Sequence, residues 1–136
     1  MIKILVIDDD SATTELLESI LSSHEFEIFT ANYGPEGIKL AKEVDPDLVI
    51  VDLVVPGMNG YQITHNLRDF SNVPILVLSV IDKPEDIAQV LDEGADDYMI
   101  KPVHGNLLIA RINTLTRRAD VEKRAATKHQ SFQIQT

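Results

Sequence analysis

Short, wholly apolar stretches alternate with longer amphipathic ones along this chain. Ile2–Ile7 is apolar and β-branched apart from Lys3, which suits a strand buried on both faces. It ends in Asp8-Asp9-Asp10, after which Ser11 is placed to cap a helix over residues 12–23, where Leu16, Leu17, Ile20 and Leu21 recur at helical spacing. A second strand is expected over Glu27–Ala31. Asn32-Tyr33-Gly34-Pro35 reads as a turn into a helix that runs to about Val44 and is stopped by Asp45-Pro46. Leu48–Val51 is a third strand, ending at Asp52, and the loop Pro56-Gly57-Met58-Asn59-Gly60 leads into a helix over about 60–69. Val73–Leu78 is a fourth strand, ending at Ser79. Asp82 and Glu85 have capping-box spacing for a helix to about Glu93, with Gly94 as its stop. Tyr98–Ile100 is a short fifth strand ending at Lys101-Pro102, and residues 105–118 form a last helix with Leu108, Ile112 and Leu115 on one face.

Five repeats of strand then helix imply right-handed crossovers, a parallel sheet and helices on both faces. The expectation is one doubly wound α/β domain over residues 1–118. Residues 119–130 are polar and read as a frayed helix end or linker. Residues 131–136 alternate through Phe132 and Ile134, as at the start of a strand whose partners are absent. At 136 residues the chain is long enough for one domain with a substantial core.

Composition removes several classes. With no cysteine there is no disulfide framework and no Cys-ligated metal. No apolar run is long enough to cross a bilayer, and the aspartates at 8–10 end the first one too early for a signal peptide, so a soluble cytoplasmic protein is expected. The net charge is −10; residues 1–116 carry 20 acidic and 7 basic groups, residues 117–136 carry 2 and 5. An acidic body repels nucleic-acid phosphates, so DNA binding by the body itself is not expected.

Ligands of an open parallel sheet sit beyond the carboxyl ends of its strands. Those ends carry Asp8, Asp9 and Asp10 on the first strand, Asp52 on the third, Ser79 on the fourth and Lys101 on the fifth. Gathered carboxylates repel, and a hard cation such as magnesium relieves the repulsion. An ammonium, a hydroxyl and a cation suit phosphoryl transfer, which is mostly positioning and charge stabilisation. The acceptor would be a carboxylate, because there is no cysteine and no base is placed to activate the hydroxyl.

Four segments resemble the receiver domain of bacterial two-component response regulators over residues 2 to about 118: Ile4-Leu5-Val6-Ile7-Asp8-Asp9-Asp10, residues 46–60 around Asp52, Pro74-Ile75-Leu76-Val77-Leu78-Ser79, and residues 94–102 around Lys101. The resemblance implies a flavodoxin-like strand order 2-1-3-4-5. It implies Asp52 as phosphoacceptor, and a magnesium ion held by Asp8, Asp9, Asp52 and the backbone carbonyl of Val54. It also implies Ser79 as switch hydroxyl, Lys101 as phosphate-binding lysine, Tyr98 as aromatic switch residue and a cis peptide between Lys101 and Pro102. The implied donor is a phosphohistidine on a sensor histidine kinase. The implied output is a homodimer through the face of the fourth helix, fifth strand and fifth helix. The tail, with Arg117-Arg118, resembles the linker of regulators carrying a winged-helix DNA-binding module. DNA contact would then come only through an output domain absent from this chain, and a fragment of such a regulator is favoured over a stand-alone receiver.

The chain departs from the family pattern at Val55, Asn59 and Val80, and carries apolar Val54 and Ile81 two residues beyond the acceptor and the switch hydroxyl. Apolar groups cannot hold an attacking water, so a long-lived phosphoaspartate is expected. Asp10, as a third ligand, is outweighed by a surface role, and Asp96 and Asp97 read as turn residues. His24, His65, His104 and His129 show no ligand spacing. Two rivals remain: an aspartate-nucleophile phosphohydrolase built on Asp8-x-Asp10, and a receiver-like interaction module that is never phosphorylated.

Overall fold

The computed structural model describes residues 1–126 with their side chains and the backbone of the last helix to Gln135. Strands β1 (Ile2–Ile7), β2 (Phe26–Ala31), β3 (Leu48–Val51), β4 (Ile75–Ser79) and β5 (Asp97–Ile100) alternate with helices α1 (Ser11–Ser22), α2 (Gly34–Val44), α3 (Gly60–Arg68), α4 (Pro84–Asp92) and α5 (Gly105–Gln135). Every pairing is parallel and the order is β2-β1-β3-β4-β5, the doubly wound arrangement expected. Ile7 lies opposite Ala31 on one side and Val51 on the other, so Asp8 and Asp52 leave neighbouring strands at the same level.

Strand side chains alternate between two cores. Leu5, Ile7, Val49, Val51, Ile75 and Val77 pack with Ala41 of α2, Ile63 and Leu67 of α3 and Val90 of α4. Ile4, Val6, Leu48, Ile50, Leu76 and Leu78 pack with Leu17 and Leu21 of α1 and Leu108, Ile112 and Leu115 of α5. Burial on both faces explains why the strands are continuous apolar runs rather than alternating ones.

The structure corrects the sequence reading mainly at element ends. Asp10, not Ser11, caps α1: its carboxylate accepts from the Ala12 amide and the Thr13 hydroxyl, both at 3.0 Å. The capping box expected from Asp82 and Glu85 does not form; Lys83 precedes α4 without a side-chain cap, and Pro84 supplies the pre-set backbone of the first turn. Asp97 opens β5 and pairs with Arg111, and Asp96 accepts from the Ile75 amide and Arg68, so both tie elements together rather than merely turning the chain. Residues 119–126, read as a frayed helix end or linker, continue α5. The strand start read over 131–136 lies outside the residues described with side chains, on backbone assigned to α5 as far as Gln135.

Candidate functional site

Asp8 stands just beyond β1 and Asp52 just beyond β3, 2% and 8% exposed respectively. Lys101, the first residue after β5, reaches across the carboxyl edge of the sheet. Its Nζ donates to Asp8 Oδ2 and to Asp52 Oδ2, each at 2.8 Å. The other oxygen of each carboxylate is held by backbone two residues on: Asp8 Oδ1 accepts from the Asp10 amide at 3.0 Å and Asp52 Oδ1 from the Val54 amide at 3.2 Å. One ammonium therefore serves two buried carboxylates, and the cluster keeps a net negative charge.

The titration behaviour follows from that imbalance. Burial pushes the Asp8 carboxyl above its ordinary range, with the Lys101 ammonium and the Asp10 amide only partly offsetting it. Burial pulls the Lys101 ammonium down, but its hydrogen bonds to Asp52 and Asp8 outweigh this and leave it above the usual lysine value.

Gly60 lets the loop after Asp52 fold back on itself. Its amide donates to the Leu53 carbonyl at 2.8 Å, and a Cβ there would lie 2.5 Å from the Asp52 carbonyl oxygen and 2.6 Å from Leu53 Cα. Asn59 and Gln62 form a reciprocal capping box that starts α3 directly after this contact.

Around the acidic pair, Ser79 is fully buried at the end of β4, with its Oγ accepting from the Ile81 amide at 3.4 Å. The Tyr98 hydroxyl donates to the Ile81 carbonyl and the ring packs half-buried on the core of the α2–α4 face. Burial is the main cause of the raised Tyr98 phenol pKa. The Lys101–Pro102 peptide is cis. Asp9 is exposed and its carboxylate has no partner among the described residues. Val54 and Val80 are 59% and 69% exposed.

The structure thus brings Asp8, Asp52 and Lys101 into contact and sets Ser79 and Tyr98 on the neighbouring β4–β5 edge. It turns Asp10 away to cap α1, which removes the carboxylate pair that the phosphohydrolase reading needed. Among the described residues no three acidic or histidine side chains are grouped closely enough to hold a metal ion as they stand, and the Lys101 ammonium bridges Asp8 and Asp52. One residue escaped sequence reasoning: Asn32, just past β2, whose Nδ2 donates to the Asp8 carbonyl at 2.6 Å. The strand-end rule that picked out the other residues finds it as well, once β2 is counted.

Residues 4–113 match the response regulator receiver domain family. The cell cycle response regulator CtrA of Brucella ovis is 44% identical over 119 residues, covering 86% of this chain and 51% of that protein. A two-component response regulator from Clostridium difficile superposes with a TM-score of 0.85 at 27% identity, over 88% of this chain and 98% of that one. The receiver domain of the sensor histidine kinase PA1611 of Pseudomonas aeruginosa PAO1, with magnesium coordinated in its active-site cleft, shares the fold at TM-score 0.78 and 23% identity, over 84% and 96% of the two chains. The chain spans about half the length of the curated relatives it matches. With this fold, this strand-end cluster and these matches, the chain belongs to the response regulator receiver domains of two-component systems.

Proposed function

We propose that Asp52 accepts a phosphoryl group from a phosphohistidine of a sensor histidine kinase, and that Asp8, Asp9, Ser79 and Lys101 serve that transfer. The single observation that carries this reading is the shared lysine: Lys101 Nζ lies 2.8 Å from both Asp8 and Asp52. It holds the acceptor carboxylate at the strand end and supplies positive charge where phosphoryl oxygens arrive. An Asp52 oxygen attacks phosphorus, the phosphorus–nitrogen bond breaks, and the imidazole nitrogen leaves with the electron pair.

Magnesium fits the donor set. The residues are all-oxygen, two carboxylates are under-neutralised by one ammonium, and Asp9 and the Val54 carbonyl lie on the loops that adjoin them. Asp8, Asp9, Asp52 and the Val54 carbonyl would hold it. When bound, it supplies charge neutralisation for the incoming phosphoryl oxygens.

The acyl phosphate adds close to two negative charges at Asp52. Lys101 and Ser79 take up the new oxygens, and movement of Ser79 with the Ile81 backbone frees the Tyr98 hydroxyl from its carbonyl partner. The face of α4, β5 and α5 responds; it exposes Leu91, Ile100 and Leu107, each more than a third accessible, which suits a homodimer contact. The output is transcriptional, through a DNA-binding domain outside these 136 residues, and the receiver works in the cytoplasm. Residues 1–118 are the receiver and residues 119–136 its linker or tail.

Incubating the protein with acetyl phosphate and magnesium, or with a phosphorylated kinase, should add the mass of one phosphate. Asp52→Asn should abolish the addition while keeping the wild-type circular dichroism spectrum. Undiminished labelling of Asp52→Asn would reject Asp52 as acceptor.

A further inference from the structure

β1 and β2 run in register from Ile2 opposite Phe26 to Ile7 opposite Ala31, and the Asp8 amide extends the ladder by donating to the Ala31 carbonyl at 3.0 Å. In a parallel ladder the next rung would bring the amide of Tyr33 to the Asp8 carbonyl. That rung is not made: Tyr33 has left the sheet as the residue preceding α2. The Asn32 side-chain amide takes its place, with Nδ2 2.6 Å from the Asp8 carbonyl oxygen.

The carbonyl in question belongs to the peptide joining Asp8 to Asp9. A peptide is planar, so holding its oxygen restrains that plane. The next peptide is held through the Asp10 amide on Asp8 Oδ1, and with a restrained plane on each side the Asp9 Cα–Cβ bond has a limited range of directions. The flanking groups are already pinned. The Asp8 carboxylate is held by Lys101 and the Asp10 amide, and the Asp10 carboxylate by Ala12 and Thr13. Asp9 lies between them, exposed and with no side-chain partner among the described residues. Its aim therefore depends on its backbone, and the Asp8 carbonyl is the part of that backbone which the sheet leaves to a side chain.

We infer that Asn32 is a positioning residue for Asp9: by hydrogen-bonding the Asp8 carbonyl past the end of the β1–β2 ladder, it sets the peptide plane that directs the Asp9 carboxylate toward the divalent cation. This rests on the reading of Asp8 and Asp9 as the cation-binding pair.

The test uses the full chain, with magnesium binding followed by calorimetry in wild type, Asn32→Leu, Asn32→Ala and Asp9→Asn. Amide ¹⁵N shifts are recorded on the metal-free proteins. Removing the amide donor should weaken magnesium binding about fivefold and move the Asp9 ¹⁵N resonance, while the Ile81 and Lys101 resonances hold. Labelling by acetyl phosphate should need proportionally more magnesium yet reach the wild-type rate at saturation. Wild-type magnesium affinity in both Asn32 variants, with Asp9→Asn weakened, overturns the role of Asn32 and leaves the site reading standing. Wild-type affinity in Asp9→Asn overturns the cation-binding pair itself, and the inference with it.

Discussion

Asp8 and Asp52 are hydrogen-bonded to the same Lys101 ammonium at equal distances of 2.8 Å, although their strands are joined to it only through the sheet. Two buried carboxylates with one cation form an arrangement whose stability depends on whether Asp8 carries a proton. Most of the measurable consequences start there.

Asp8→Asn should raise the stability of the metal-free protein at neutral pH by about 1 kcal/mol, since it removes an imperfectly compensated buried charge and keeps a carbonyl acceptor for the Asp10 amide. The folded-state pKa of Asp8 lies above its ordinary 3.8, so the ionised form is penalised in the fold. As pH falls through that raised value the wild type binds its proton, the penalty disappears, and the advantage of the variant should shrink. Urea melts at several pH values check this; a less stable variant at pH 7 contradicts it.

Lys101→Met leaves both carboxylates without their cation and should cost about 3 kcal/mol at neutral pH. The loss should lessen under acid conditions, where Asp8 takes up a proton instead. In the wild type the folded lysine pKa lies above 10.5, so its contribution is complete below that pH and is lost as pH rises through the folded value. Thermal melts of both proteins between acid and alkaline pH show the two effects.

Gly60→Ala tests the fold-back of the loop after Asp52. A Cβ at 2.5 Å from the Asp52 carbonyl oxygen and 2.6 Å from Leu53 Cα cannot be accommodated by rotating a side chain, because both obstructing atoms are backbone. A loss of about 2 kcal/mol and slower labelling of Asp52 are expected from urea melts and mass spectrometry.

Val54→Asn should shorten the lifetime of the acyl phosphate. Val54 is 59% exposed two residues beyond Asp52 and offers an approaching water no hydrogen bond. An amide there supplies one, equivalent to about 1 kcal/mol and so a roughly fivefold faster decay. The decay of labelled protein in magnesium buffer gives the rate, and an unchanged lifetime removes Val54 from the account.

The strands were legible because burial on both faces writes them as runs such as Leu48-Val49-Ile50-Val51, and the acidic and basic strand ends followed from the sheet's direction. What sequence left ambiguous was local choice between neighbours. Asp10 and Ser11 are both good caps, and only the backbone angles decide that Asp10 precedes the helix. Asp82 and Glu85 had the spacing of a capping box, but Pro84 fixed the start one residue after Lys83. Residues 119–126 lack an apolar stripe, so their helicity, as an extension of α5, left no periodic mark. The strand ends named the participants in the cluster, but not that the lysine would stand between the carboxylates, which depends on the distance from β5 back to β1. Asn32 stands where the strand-end rule reaches it, directly past β2, but only its acceptor, the Asp8 carbonyl, gives that amide a role.

β5 occupies one border of the sheet and is laddered to β4 alone, whereas β1, β3 and β4 each have neighbours on two sides. Four residues long, it holds Tyr98 within it and delivers Lys101 at its end. A border strand can slide or tilt by breaking one set of rungs instead of two. Tyr98 and Lys101 thus stand three residues apart on, and just past, a short strand held along one side only, while the strands that lead to Asp8 and Asp52 are held along both.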